Sequence, residues 1–528
     1  MAHGYGTKAS FSIAIHFVYR DLTSPLRNIV GPKSPSLFFG NFRQMADNPQ
    51  LAPQWRNEFG PNFLFRGLFS VNELHTADIK AINHIVTNSS IYQRSPSNRD
   101  AFTRVVGKGI FGVELDDHKR HNPAFGIAQI RVLTEVFVEK AIKLRDVWAV
   151  QVAQGNDAAR IDVLGWLRRM TLDVIGQAGF NYQFDALDTK AKPNELEQVF
   201  TDMFHSPDAN QYAAFRFSQS IVPILKLLPV PGAQVLVAAR TKMQSIARGI
   251  VSRSKATMAA TADEKLLGGR RDLLAILLKA NMSMDIPKNQ RLTDAEVIAQ
   301  IPTFFFAGHE TTSSAVSWAL HALSLNIEVQ TKLREELLTI ATDNPTMDEL
   351  NSLPYLEMVV RETMRVHAPV VFTQRMAMED DVLPLGKPYI DKDGKSHDSF
   401  PIRRGQTIHI PILAVNTDKE IWGGDASEFG PERWNKVPDG ASAIPSVWAN
   451  LLTFFAGPHN CIGFRFSLAE MKALLFTLIR AFEFEPAVPK GGIGSSTVGI
   501  LQRPTVLAET GKGSGLPLIV KAVNTAEL

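Results

Sequence analysis

The stretch "TFFAGPHNCIGFRFSLAE", Thr453–Glu470, holds the one cysteine of a 528-residue chain. Cys461 stands in a short loop with glycines at 457 and 463. The run after it has Leu468, Met471, Leu474, Leu475, Leu478, Ile479 and Phe482 at helical spacing, so a helix opens just past the cysteine. The free N–H groups of that helix start, and the positive end of its dipole, favour a thiolate. Gly457 and Gly463 take side chains out of the loop, which lets a flat partner approach the backbone. A lone cysteine is ordinarily a small buried hydrophobe; the residues around this one read otherwise.

Composition narrows the field. One cysteine excludes an intramolecular disulfide, a CxxC zinc or iron–sulfur site and a CxxCH haem attachment. With 56 Lys and Arg against 53 Asp and Glu, the net charge of +3 carries no nucleic-acid signature. The first 45 residues are locally basic: Lys8, Arg20, Arg27, Lys33 and Arg43 face only Asp21, a bias that suits an anionic membrane surface. No segment reaches the ~18–20 apolar residues of a membrane span. The best N-terminal candidate, "FSIAIHFVY", stops at Arg20 and Asp21. The Gly/Pro-rich "VGPKSPSLFFGNF" reads as a hinge that separates residues 1–45 from a single catalytic domain over 46–528.

Along that domain, "NFLFRGLFSVNELHTA" and "INHIVTN" look like short strands, and helical periods dominate from about Arg131. "SIVPILKLLPVPGAQVLVAA" (Ser220–Ala239) carries three prolines and cannot be one membrane helix. It is expected to be a buried connector, the alternative being a surface patch that dips into lipid. "RLTDAEVIAQIPTFFFAGHETTSSAVSWALHALSLN" begins with a capping box, Thr293 to Glu296, and is apolar almost all round, which makes it a central helix. Pro302 within it should bend it or cost a backbone hydrogen bond. The last third turns to short strands, "FPIRRGQTIHIPILAV" and "GLPLIVKAV". The fold class expected is mainly α with a minor β part near the ends.

Phe454, Gly457, Cys461 and Gly463 form F-x-x-G-x-x-x-C-x-G, which resembles the haem-binding loop of the cytochrome P450 family. The resemblance implies haem b, with the Cys461 thiolate as axial iron ligand. Phe455 stands where a smaller residue is commoner. His459 stands where the family often has Arg, and could donate to a haem propionate. "AGHETT" (Ala307–Thr312) resembles the oxygen-activating part of the family's central helix, so Glu310 and Thr311 are the expected proton-delivering acid and alcohol. Glu362 and Arg365 in "LPYLEMVVRETMRVHAP", with Arg433 in "FGPERW", look like the family's structural Glu–Arg–Arg cluster. Arg375 matches its second propionate-binding residue.

One place departs from the pattern. The family usually has Trp or His followed four positions later by a propionate-binding Arg, whereas four residues past His118 stands Asn122. The stretch is about one helical turn short; Arg120 or Lys119 is the expected substitute. Lys119, Arg120, Arg465 and Lys472 are also candidates for a basic patch that meets an acidic electron donor.

The function these likenesses imply is a monooxygenase that inserts one atom of dioxygen into a hydrophobic small molecule. Electrons would come from a separate NADPH-linked reductase, because the chain has no flavin or dinucleotide module. The general look resembles fungal, microsomal-type members that oxidise terpenoids and other secondary metabolites, which implies the cytosolic face of the endoplasmic-reticulum membrane. Two alternatives differ in class: a reductase-independent haem-thiolate isomerase or dehydratase, and a haem-poor, non-catalytic relative arising from the short stretch at His118–Phe125. Candidate substrate contacts are "SPSNRDAFTRVV", "DANQYAAFRFSQ", "TFFFAG" and "GIGSSTVGILQ".

Overall fold

The computed structural model describes residues 23–48, 51–115, 125–188, 212–230, 233–260, 272–282, 291–509 and 513–523, with isolated positions between 190 and 199. His118, Lys119, Arg120 and Asn122, and the first four residues of "DANQYAAFRFSQ", lie outside them.

The central helix spans Asp294–Leu325, 32 residues, and starts at the expected capping box. The Glu296 carboxylate accepts from the Thr293 N–H at 2.7 Å, and the Thr293 hydroxyl accepts from the Glu296 N–H at 3.3 Å. The helix continues through Pro302 and Gly308 without a break. It packs against Val163–Phe180, Ala233–Ala260, Pro354–Val366 and the helix that follows the cysteine, Phe464–Ala481. Gly308 lets two helices approach closely: a Cβ there would lie 3.1 Å from Ile175 Cδ1. The Phe464–Ala481 helix is covered on another side by Ile127–Gln154, with Phe137 and Phe466 packed edge to face at 4.7 Å. One hydrophobic cluster joins Leu26 to Val520, and a small satellite holds Trp55, Phe63 and Phe65.

The β part is as minor as expected. Its largest sheet runs, in spatial order, Asn62–Arg66, Asn72–Thr76, Thr407–Ile410, Thr373–Ala377 and Tyr92–Gln93. The only parallel pair in it joins Asn72–Thr76 to Thr407–Ile410. The register sets Phe63 opposite His75 and His75 opposite His409, and the three rings stack at 4.1 and 5.1 Å.

Two expectations are corrected. "INHIVTN" is not a strand but the end of the helix Ile79–Thr87, capped by the Asp78 side chain on the Ala81 N–H. Its buried face is Ala81, Ile82, Ile85 and Val86, and so short an apolar run does not by its own pattern distinguish the two structures. The stretch expected to be a buried connector instead exposes Ile224, Leu227, Leu228, Val235 and Val237. Its prolines break the chain into a short 3-10 turn, Pro223–Leu227, and a new helix from Ala233, so the apolar run cannot turn one continuous face inward. No helix among the described residues is long and apolar enough to cross a membrane.

Candidate active site

The cysteine loop is built from behind. Glu362 and Arg365 lie one turn apart on Pro354–Val366, both fully buried, in a two-pronged pair at 2.7 and 2.9 Å. Arg365 also donates to the carbonyls of Asn416 (3.1 Å), Glu428 (3.0 Å) and Ala426. Glu362 in turn accepts from the Gly430 N–H and the Trp434 indole N–H, each at 3.0 Å. Arg433 lies 3.5 Å from Glu362 and grips Asp425 at 2.7 Å. The Asn416 side chain then reaches the loop itself, accepting from the Leu452 N–H and donating to the Thr453 hydroxyl, which donates to the Met364 carbonyl. The sequence-predicted Glu362, Arg365 and Arg433 thus meet, and through Asn416 they set where the cysteine loop begins.

Within the loop, the Cys461 N–H donates to the Phe454 carbonyl at 2.9 Å. Phe455 (φ 58°) and Gly457 (φ 64°) are both left-handed, which reverses the chain tightly. The two glycines do different jobs. A Cβ at Gly457 would come within 2.8 Å of Val86 Cγ1, so this glycine admits the Ile79–Thr87 helix rather than leaving a gap. A Cβ at Gly463 would touch only the Phe125 ring, at 3.8 Å, so the backbone is open there. The Cys461 side chain has exposed surface, yet it sits deep enough among protein atoms that burial pushes the thiol up to about 11, the Gly463 N–H opposing. The helix start alone therefore does not give the expected thiolate, because lost hydration outweighs the dipole. A bound cation would reverse this by drawing off the thiol proton.

Beside the loop lies a buried basic cluster. Arg375 is 4% exposed, donates to the Thr373 hydroxyl and the Gln374 carbonyl, and stands 4.6 Å over the Phe455 ring. Burial, then Arg94, lower it to about 9, with Glu114 opposing. His459 lies 2.9 Å from Glu114, and Arg94 lies 3.5 Å from the same carboxylate. Burial and then Arg375 and Arg94 hold His459 below its ordinary value despite Glu114. Burial alone would raise the Glu114 carboxyl, but His459, Arg94 and Arg375 together pull it below its usual range. Three basic side chains thus crowd one carboxylate, and the Arg94 Nη1 is buried without a hydrogen bond. A flat dianion with a thiol-binding metal supplies what these residues lack: counter-charge for the cluster and a Lewis acid for Cys461. Haem fits on both counts.

On the central helix, Thr311 donates to the Ala307 carbonyl at 2.6 Å, four residues back. The Thr171 hydroxyl likewise captures the His309 carbonyl at 3.0 Å. The helix itself stays regular here, running unbroken from Asp294 to Leu325. Glu310 is 2% exposed and faces a different way from Thr311: Arg503 lies 2.7 Å from it, Arg168 3.5 Å and His309 3.6 Å. The acid of "AGHETT" is therefore held in a buried ionic cluster.

Of the basic candidates near the cysteine helix, Lys472 is not a surface residue. It is 6% exposed, at 2.8 Å from Glu357 and 2.7 Å from Asn351. A lysine on a helix otherwise covered by neighbours must find a carboxylate inside the protein. Arg465 is exposed, its guanidinium stacked on Phe464 at 4.4 Å. Four residues of the site have no signal in the sequence: Arg94, Glu114, Arg168 and Arg503. Each meets its partner across a long span of chain.

The chain matches the family described as cytochrome P450 over residues 30–505. It is 48% identical to cytochrome P450 monooxygenase 205 of Postia placenta over 97% of this chain and 96% of that one. Cytochrome P450 monooxygenase 128 of the same fungus is 46% identical, over 94% and 93%. The ganoderic acid synthetase CYP5150L8 of Ganoderma lucidum is 35% identical, over 88% of each chain. The helical architecture, the cysteine loop and these full-length likenesses lead to one conclusion: the chain belongs to the cytochrome P450 family and is a haem-dependent monooxygenase.

Proposed function

We propose that this monooxygenase inserts one oxygen atom from dioxygen into a hydrophobic small molecule, a terpenoid or other secondary metabolite, with electrons from NADPH through a separate reductase. The observation that carries the reading is the pairing of the exposed Cys461 with a buried basic cluster in which Arg94, Arg375 and His459 share one carboxylate, Glu114. Haem b bound there supplies the redox-active iron at which dioxygen is reduced. In this reading Cys461 would hold the iron, Gly463 would let the cofactor approach the backbone, and Arg375 and His459 would take its propionates. Glu362, Arg365 and Arg433 are structural. Arg120 stays a candidate propionate contact. Residues 46–528 are read as one catalytic domain, and the described part of the segment before it joins that body, with Leu26 and Ile29 in the main core.

Thr311 is the alcohol of the relay in this reading, its hydroxyl donating to the Ala307 carbonyl one turn back. Glu310 supplies the acid from behind, and its ion pair with Arg503 and Arg168 must open for it to do so. A Thr311→Ala variant should consume NADPH but form much less product per NADPH, since losing a positioned proton donor slows the step it serves by about 100-fold or more. Unchanged coupling would remove Thr311 from the relay. The acid–alcohol pair also disfavours a reductase-independent isomerase or dehydratase.

The half-buried Phe102, packed on Phe111, would suit an apolar substrate, whereas Phe304 and Phe305 pack into the core on Phe180. The Ganoderma relative, named for ganoderic acid, supports the same class. The exposed Leu37, Phe38 and Phe42, and the exposed Ile224, Leu227, Leu228 and Val237, support peripheral contact with the endoplasmic-reticulum membrane from the cytosolic face. Exposed Arg465 is a candidate contact for an acidic electron donor.

A further inference from the structure

We propose that the substrate carries a carboxylate, and that Arg216 anchors it between the helices Pro96–Val106 and Ala213–Ile221. The inference names the substrate class within the reading above and rests on it. Both helices lie in stretches expected to touch the substrate, and they pack against each other. Gln219 fixes which side of the second helix faces the first. Its side-chain oxygen lies 3.5 Å from Arg104, while its amide donates to the carbonyls of Leu225 and Leu228 at 2.9 and 3.1 Å. Arg216 stands one turn earlier on the same face, three residues before Gln219.

Charge is unbalanced at this contact. Arg99, Arg104, Arg216 and Lys226 stand on the two helices and the turn Pro223–Leu227, and Asp100 is the only carboxylate in those three segments. Asp100 is already engaged, by Arg104 on its own helix and by Lys226 at 3.4 Å. The Arg216 Nη1 is buried and has no acceptor among the described residues, and the same holds for the Arg99 Nε. Burial lowers the Arg216 guanidinium from its ordinary value, with no carboxylate opposing. A buried charged donor left unpaired costs more than a neutral one. A carboxylate meets a guanidinium with two parallel hydrogen bonds. The neighbouring residues are apolar: Phe215 and Phe217 flank Arg216 in sequence, and on the facing helix Phe102 packs on Phe111 at 5.3 Å. A cation among aromatic rings suits an acid on a hydrophobic skeleton rather than a small polar anion. An anionic lipid headgroup would meet the half-exposed Lys226 before the buried donor of Arg216.

The test uses the haem-loaded full chain and two matched probe pairs at neutral pH: abietic acid with methyl abietate, and dodecanoic acid with methyl dodecanoate. Binding is titrated through the shift of the haem Soret band for wild type, Arg216→Gln and Arg216→Lys. The wild type should bind at least one acid about tenfold or more tighter than its ester, the scale for a charge-assisted hydrogen bond. Arg216→Gln should bind that acid and its ester alike with the ester affinity unchanged, and Arg216→Lys should recover part of the preference. Where a probe is turned over, the loss should fall on KM and leave kcat largely intact, because the carboxylate is held equally in the ground and transition states. A wild type that prefers neither acid overturns the proposal, as does a preference that survives in Arg216→Gln. Binding to phosphatidylserine vesicles should be the same for wild type and Arg216→Gln. A variant that loses the vesicles and keeps the acid preference assigns the cation to lipid and also overturns it. A wild type without the thiolate-type band before any probe is added overturns the haem reading, and this proposal with it.

Discussion

Arg365→Ala should destabilise the protein by about 3–5 kcal/mol, the scale for breaking a buried ion pair from one side. The arginine is fully buried and satisfies the Glu362 carboxylate together with the carbonyls of Asn416, Ala426 and Glu428. Truncation leaves those three carbonyls without their donor and removes the main counter-charge of Glu362. The damage should spread to the cysteine loop, since Asn416 holds Leu452 and Thr453 through its side chain. Urea unfolding of wild type and variant, followed by far-UV circular dichroism, measures the loss. A change below about 1 kcal/mol, as for an exposed pair, would contradict the assignment. The local spacing alone, Glu and Arg at i and i+3, would suggest only a few tenths of a kcal/mol. The difference is burial.

Glu470→Gln should do the opposite and stabilise the protein at neutral pH. Glu470 is fully buried on the Phe464–Ala481 helix, and neither carboxyl oxygen has a geometric hydrogen-bond partner. Burial raises its carboxyl well above the ordinary value, with a small opposing contribution from Thr312. The folded protein therefore keeps a proton that the unfolded chain releases above about 4.5. Stability linked to this group is fully present below pH 4.5 and falls as pH rises, by about 1.4 kcal/mol per unit while the folded carboxyl stays protonated. Glutamine has the same shape and carries no such linkage. The gain of Glu470→Gln over wild type should grow with pH above 4.5 and shrink to near zero at pH 4.5. A gain independent of pH, or a loss at pH 7, would show that the carboxyl is ionised in the folded state.

What could be read from the chain and what could not divides along sequence distance. The capping box at Thr293, the helix after Cys461 and the E-x-x-R pair are local patterns. Each is fixed by residues within a few positions of one another, and the structure places each where the pattern says. Arg94, Glu114, Arg168 and Arg503 are invisible locally because their partners sit on other elements: sheet pairing brings Arg94 to Arg375, and strand Leu501–Val506 carries Arg503 to Glu310. Energetic quantities were the least legible. The helix start predicts a thiolate at Cys461, and burial reverses the sign. Lys472 looks like a surface charge and is paired inside. Ser220–Ala239 is apolar enough for a core, but its prolines leave several of its large side chains facing outward.

The account centres on Cys461 as the ligand of haem iron. The direct measurement is the absorption spectrum of the purified, dithionite-reduced protein under carbon monoxide, for wild type and Cys461→Ser. The wild type should show the red-shifted Soret band of a thiolate-ligated haem, and the variant should lose it. A wild-type spectrum without that band, or a thiolate-type band that survives in Cys461→Ser, would contradict the account.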